Sequence, residues 1–146
     1  MKRSEEVRML LNLSVEELIG RSGGQLVVKE LLEELYSFLA DFMVREFEAA
    51  ADEPKAFIMP VGPLEPYRLM AEAINFRSVS LRNVTMFFMD EYCNDDGSLI
   101  DRNHPLSFRG KIGGIFFDRI RPELRPSPER IIFPAPEILA ELPGMI

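Results

Sequence analysis

The 146-residue sequence contains no tryptophan, one histidine (His104) and one cysteine (Cys93). A single cysteine excludes an internal disulfide and makes a reducing, cytoplasmic compartment the simplest expectation. A single histidine excludes a histidine-rich metal centre, and no zinc-ligand spacing accompanies it, so neither metal nor cofactor is expected. No apolar run approaches the roughly 18 residues that span a bilayer. Met1-Lys2-Arg3 is followed by Ser4-Glu5-Glu6, not by the apolar core of a signal peptide, so no membrane partner is expected. Basic residues are in deficit, 17 against 24 acidic, for a formal charge of -7. That argues against nucleic acid, whose footprint is a basic face. It leaves room for an anionic small molecule, which needs only a local cluster of donors.

A hydrophobic content of 47% is ordinary for a folded protein, and the length fits one domain or half-domain: a helical segment over 1–52, then a βαβ core over 53–146. The organising stretch is Val84-Thr85-Met86-Phe87-Phe88-Met89-Asp90-Glu91-Tyr92, uncharged from Val84 to Met89 and then abruptly acidic. A short apolar run of this kind fits a fully buried strand of a parallel sheet, with a buried helix as the other option. Before it, Ser14 and Glu17 have the spacing of a capping box opening a short helix that Gly20 and Gly23-Gly24 interrupt. From Gln25 to about Ala51 apolar residues recur at three and four, which predicts one long amphipathic helix. Lys55 to Pro60 reads as a short buried strand, and Leu64 or Glu65 to Phe76 as a helix with Pro66 in its first turn. Asn94 to His104 is a polar loop of lid length. Ser107 suits the N-cap of a helix over Phe108 to about Ile120, with Gly113-Gly114 weakening its middle. Ile131-Ile132-Phe133 reads as a third strand, and Glu137–Leu142 as a helical turn in a Pro-rich tail.

Strand, helix and strand in this order make a βαβ unit, and parallel strands deliver the loop at 61–66 and the carboxylates Asp90 and Glu91 to one edge of the sheet. Gly62 permits close backbone approach, and the helix after it offers free N–H groups suited to a phosphate. Pro63 and Pro66 donate nothing, however, and Glu65 adds a negative charge, so Arg68, Arg77, Arg109 or Lys111 would have to compensate. The plainer reading keeps Gly62 as a turn, Asp90 as a turn cap, Glu91 as a solvated side chain and Cys93 as a loop residue. His104 fits loop packing or catalysis. A triad of Ser107, His104 and Asp90 lacks the strand-turn-helix elbow it requires and is set aside.

Three segments carry a family resemblance: Phe57-Ile58-Met59-Pro60-Val61-Gly62-Pro63, then Phe88-Met89-Asp90-Glu91-Tyr92, then Asn103-His104-Pro105-Leu106-Ser107-Phe108-Arg109-Gly110. In order and approximate spacing they resemble the first half of the glucosamine-6-phosphate deaminase/isomerase family, in its divergent deaminase-like branch, over roughly Lys55 to Phe133. The resemblance implies a Rossmann-like, doubly wound α/β fold, here as a partial, amino-terminal portion. It implies conversion of an aminosugar phosphate to a ketose phosphate and ammonia, if the full-length protein is active. Asp90 is then the base that moves a proton between C1 and C2, with Glu91 and His104 as further catalytic candidates. Val61, Gly62, Pro63, Tyr92 and Arg109 are the implied substrate-binding positions. Two departures stand out. Val61 and Pro63 replace the hydroxyl residues of the family's phosphate loop, and nothing corresponds to the family's glycine-rich Gly-His loop or its ring-opening acid and histidine pair. A half-sheet leaves an edge and apolar faces uncovered, so a homo-oligomer is expected. A non-catalytic binding or assembly module on the same fold is the rival reading, and a lactonase-like hydrolase a third.

Overall fold

The structure, a computed structural model, describes residues 2–135, so the expected turn at 137–142 lies outside the described residues. The chain divides into two compact units, residues 1–35 and 36–146. In the first, helix α1 (Arg3–Leu11) precedes helix α2 (Val15–Arg21). The capping box at α2 forms as its sequence dictates: Glu17 N–H donates to Ser14 Oγ at 3.2 Å, and Ser14 N–H to Glu17 Oε2 at 2.8 Å. Helix α1 has no such sequence signal, because Lys2 is a poor N-cap residue. Its first turn closes instead through Glu5, which accepts from Lys2 N–H at 3.1 Å.

The long helix expected from Gln25 runs only over Leu32–Glu48 (α3). Gly23 and Gly24 adopt left-handed φ of 61° and 86°, and residues 25–31 follow without helix. The β-branched pair Val27-Val28 is exposed, so no packing offsets its unfavourable helix propensity. Its far end tightens into a 3₁₀ turn over Ala49–Ala51.

The second unit is built on a parallel sheet of β1 (Lys55–Met59), β2 (Val84–Phe88) and β3 (Ile131–Ile132), in the order β1-β2-β3. Helix α4 (Glu65–Arg77) connects the first two strands, and α5 (Phe108–Ile115) lies in the connection to the third. Val84, Met86 and Phe88 join one core with Val44 and Phe47 of α3, Met70 and Ile74 of α4, and Ile112 of α5. The Phe47 ring meets Phe57 edge-on at 5.0 Å, and Phe88 stacks on Phe133 at 4.3 Å. Arg77 pairs with Asp41 and reaches Glu48 at 3.8 Å, pinning the end of α4 to α3.

Two features depart from expectation. β2 is buried on one face only: Phe87 is 41% exposed, and its neighbour across the ladder, Ile58, 76%. Two crossovers that step the same way across a sheet, both right-handed, put their helices on the same face and leave the other bare. The described residues therefore contain the α/β, Rossmann-like fold wound in one direction. The other departure is that α5 stops at Ile115, not near Ile120. Phe116 leaves helical geometry with φ of -120° and ψ of -72°, and the chain continues as a 3₁₀ turn over Phe117–Arg119, with both phenylalanines buried.

Met86 is fully buried in the middle strand. Met86→Ala should lower unfolding free energy by about 2–5 kcal/mol, read from the shift of a urea denaturation midpoint at constant slope.

Candidate functional site

β1 and β2 pair residue for residue from Lys55↔Val84 to Met59↔Phe88, so both chains leave the sheet at one edge. The pairing extends one step further, with Met89 N–H donating to Met59 O at 3.1 Å. Beyond it lie Pro60 to Leu64 on one side and Asp90 to Tyr92 on the other. In open α/β sheets this is the edge at which ligands bind.

Asp90 and Glu91 lie just past the end of β2 and take opposite surroundings. The Glu91 side chain has no solvent exposure. Its carboxylate accepts from Ser107 Oγ at 3.1 Å, Phe108 N–H at 2.9 Å, and the Arg109 N–H and Nε at 2.8 and 3.2 Å. These are the free donors of the first turn of α5, where a negative charge is also favoured by the helix dipole. Ser107 closes the same cap by accepting from Gly110 N–H at 3.1 Å. Burial alone would raise the Glu91 carboxyl. The N–H groups of Arg109, Phe108 and Tyr92, with the Ser107 hydroxyl, outweigh it and hold the group below the ordinary glutamate range.

Asp90, by contrast, is exposed and hydrogen-bonds to no described residue. It lines a shallow cleft of about 260 Å³ with Glu91, Tyr92 and Phe108. Tyr92 is half exposed, its ring tilted against Phe108 at 5.1 Å. A residue not singled out from the sequence joins this edge: Tyr67, in the first turn of α4, is buried and donates its hydroxyl to Pro60 O. Burial, and then the negative charge of Asp90, push the Tyr67 phenol far above its ordinary value. The Tyr67 hydroxyl thus pins the loop after β1 within the field of the carboxylate after β2. A tyrosine seven residues past a strand-ending proline was the available signal.

The remaining expected positions differ in what they offer. Val61 is buried, so only its backbone can face a ligand, whereas Gly62 and Pro63 are exposed. A Cβ at Gly62 would meet nothing within 4 Å, so this glycine leaves the loop open without being required for its conformation. Arg68, the cation nearest in sequence, is held by Glu65 and Glu72. Arg109 is engaged by Glu91 and by Ile100 O, the latter at 2.5 Å. His104 lines a different cleft, beside Arg102 and Lys111, and its Nδ1 accepts from Leu106 N–H at 3.2 Å. The structure therefore gathers Asp90, Glu91, Tyr92 and Tyr67 and leaves His104 apart. No triad forms, because Ser107 donates to Glu91. Among the described residues, no group of three or more His, Cys, Asp or Glu side chains is placed to hold a metal, and no helix is long and apolar enough to cross a membrane.

Glu91→Gln keeps the shape but points an amide at donors. It should cost about 1–3 kcal/mol of stability at neutral pH. Because the native carboxyl lies below its ordinary value of 4.5, its contribution is fully present above that pH and is lost as the pH falls through the lowered native value. Denaturation midpoints measured against pH should therefore show a shallower acid limb for Glu91→Gln than for the parent.

No family model matches the sequence. Similarity to individual proteins is nonetheless clear. The chain is 35% identical over 79 residues to a glucosamine-6-phosphate deaminase of Aliivibrio salmonicida, covering 53% of this chain and 28% of that protein. It is 26% identical over 113 residues to a glucosamine-6-phosphate deaminase of Cronobacter sakazakii, covering 76% and 36%. Among solved structures it resembles a monomeric glucosamine-6-phosphate deaminase described as a missing link of the NagB superfamily, with a TM-score of 0.53 and 21% identity over 68% of this chain and 39% of that one. The chain thus spans roughly a third of the length of these relatives. Over that part, it is similar in sequence and fold to glucosamine-6-phosphate deaminases.

Proposed function

We propose that the edge at Pro60–Pro63 and Asp90–Tyr92 is the proton-transfer side of a sugar-phosphate deaminase/isomerase-like site. The single observation that carries this reading is the exposed, unbonded carboxylate of Asp90 beside the loop after β1, while Glu91 is held in the fold. A carboxylate with no protein partner can take a proton from one carbon of an open-chain sugar and return it to the next through an enediol. Asp90 is that base, acting between C2 and C1. Glu91 is a positioning residue that fixes the strand end against α5. The backbone at Val61 and Gly62, with Pro63 and the Tyr92 ring, bounds the ligand. Arg109 contributes through Glu91. The resemblance implies a ring-opening acid and histidine pair that this sequence lacks, so residues 1–146 alone bind the sugar phosphate and do not turn it over. A cytoplasmic setting, with Cys93 exposed and reduced, is part of the same reading.

A second reading is favoured by the loop itself. With the Val61 side chain buried and Arg68 doubly paired, the loop at 61–66 presents no free cation. That suits a binding or assembly module that has lost the chemistry. Titration of residues 1–146 with glucosamine 6-phosphate separates the two. Saturable binding weakened about tenfold or more by Asp90→Ala supports the proton-transfer site, and absence of binding supports the module. An ammonia-release assay should give no turnover. A rate in the enzymic range of about 1–10³ s⁻¹ would overturn the incompleteness argued above.

We also propose that a second copy of the chain covers the bare sheet face. Ile58, Phe87 and Met89, 76%, 41% and 63% exposed, form an apolar strip across adjoining strands. Light scattering at high concentration should return a mass above 16.7 kDa, and Ile58→Glu should lower it. A well-behaved monomer counts against this interface.

A further inference from the structure

The polar cleft on the flank of α5 has no part in the site above. It measures about 690 Å³ and is lined by Arg102, His104, Lys111 and Asp118, among others, within the size range of small-molecule pockets. Two glycines let Arg102 approach α5, Gly110 in this cleft and Gly113 in the adjoining one, which Arg102 also lines. A Cβ at Gly110 would lie 2.1 Å from the Arg102 carbonyl oxygen, and one at Gly113 only 2.3 Å from the Arg102 guanidinium. The missing side chains let Arg102 lie flat along the helix, with both its backbone and its charged end seated there. Four residues apart, Gly110 and Gly114 share the helix face that lines this cleft.

The charged end of Arg102, although seated, is unpartnered. Among the described residues, its guanidinium forms no hydrogen bond and no ion pair. Lys111 likewise has no carboxylate partner, its ammonium resting 5.5 Å from the centre of the Phe108 ring. The Nδ1 of His104 accepts from Leu106 N–H, which places the neutral ring's proton on Nε2 as a further donor. Asp118 is the lone carboxylate of the lining, and it pairs with none of the three. By contrast, Arg68 is neutralised by two glutamates, Arg77 by Asp41, and Arg109 by Glu91. A planar guanidinium whose side-chain freedom is already restricted, next to an ammonium and an imidazole N–H, matches a tetrahedral oxyanion.

We propose that this cleft is an anion site that binds a phosphate group through Arg102, Lys111 and His104, separate from the Asp90 cleft and independent of the role assigned there. The group is either inorganic phosphate or the phosphate of a phosphorylated sugar.

The test is titration of the full chain with inorganic phosphate at fixed ionic strength, followed by heteronuclear NMR. The expected result is saturable binding, with shifts at Arg102, Lys111 and Gly113. Arg102→Gln and Lys111→Gln should each weaken it at least tenfold. Gly113→Ala, whose added methyl displaces the guanidinium, should weaken it similarly, with circular dichroism confirming that each variant folds. Arg82→Gln removes the same charge from the opposite, amino edge of the sheet and should change affinity less than twofold. A parallel titration with glucosamine 6-phosphate identifies the source. Tighter binding than phosphate, lost in Arg102→Gln, assigns a sugar phosphate, and equal affinity assigns the free ion. No saturable binding, or equal losses in Arg82→Gln and Arg102→Gln, overturns the site.

Discussion

The candidate site depends on one buried carboxylate. Glu91 leaves the end of the central strand, turns inward and takes four donor groups from the first residues of the helix that follows. That single set of bonds joins two elements 16 to 18 residues apart in the chain. It fixes where α5 begins, which side Arg109 occupies, and where the intervening loop must close. Removing the charge would weaken the acceptor shared by the helix N–H groups, the Ser107 hydroxyl and Arg109 Nε. Asp90 can remain unbonded because its neighbour performs the anchoring.

The sheet shows a comparable division. Its covered face carries the core, with Val84, Met86 and Phe88 facing three helices, and its open face carries Ile58, Phe87 and Met89. A parallel sheet normally has both faces covered. The described residues supply helices in one winding direction only, consistent with a chain that spans about a third of its relatives. The open face thus follows from topology, with no defect in the strands themselves.

Much of this was legible in the sequence, and where legibility failed there were physical reasons. The strand ending in Asp90-Glu91, the crossover helix and the Ser107 cap were all visible, because apolar runs and capping residues are local signals. The convergence of the two loops followed from topology alone. Hidden was the fate of each carboxylate: nothing in Asp90-Glu91-Tyr92 says which acid turns inward, since that depends on a helix start 17 residues later. Tyr67 lies in the core, as a tyrosine among the apolar residues of a helix does. Only its hydroxyl, reaching Pro60 O beside Asp90, makes it part of the edge. The overlong α3 and α5 expectations had a shared cause. Periodicity counts apolar residues without knowing whether a partner surface exists, as at Val27-Val28, or where the backbone leaves helical geometry, as at Phe116.

The one-to-one ladder between β1 and β2 carries a further consequence for how this chain can change length. Because alternate residues face alternate sides, Val84, Met86 and Phe88 reach the core only while the count within the strand is kept. Adding or dropping one residue there would turn apolar side chains outward and bring Thr85 or Phe87 into their place. Changes in steps of two would preserve the assignment. The core is thus protected by counting parity as much as by the identity of its side chains.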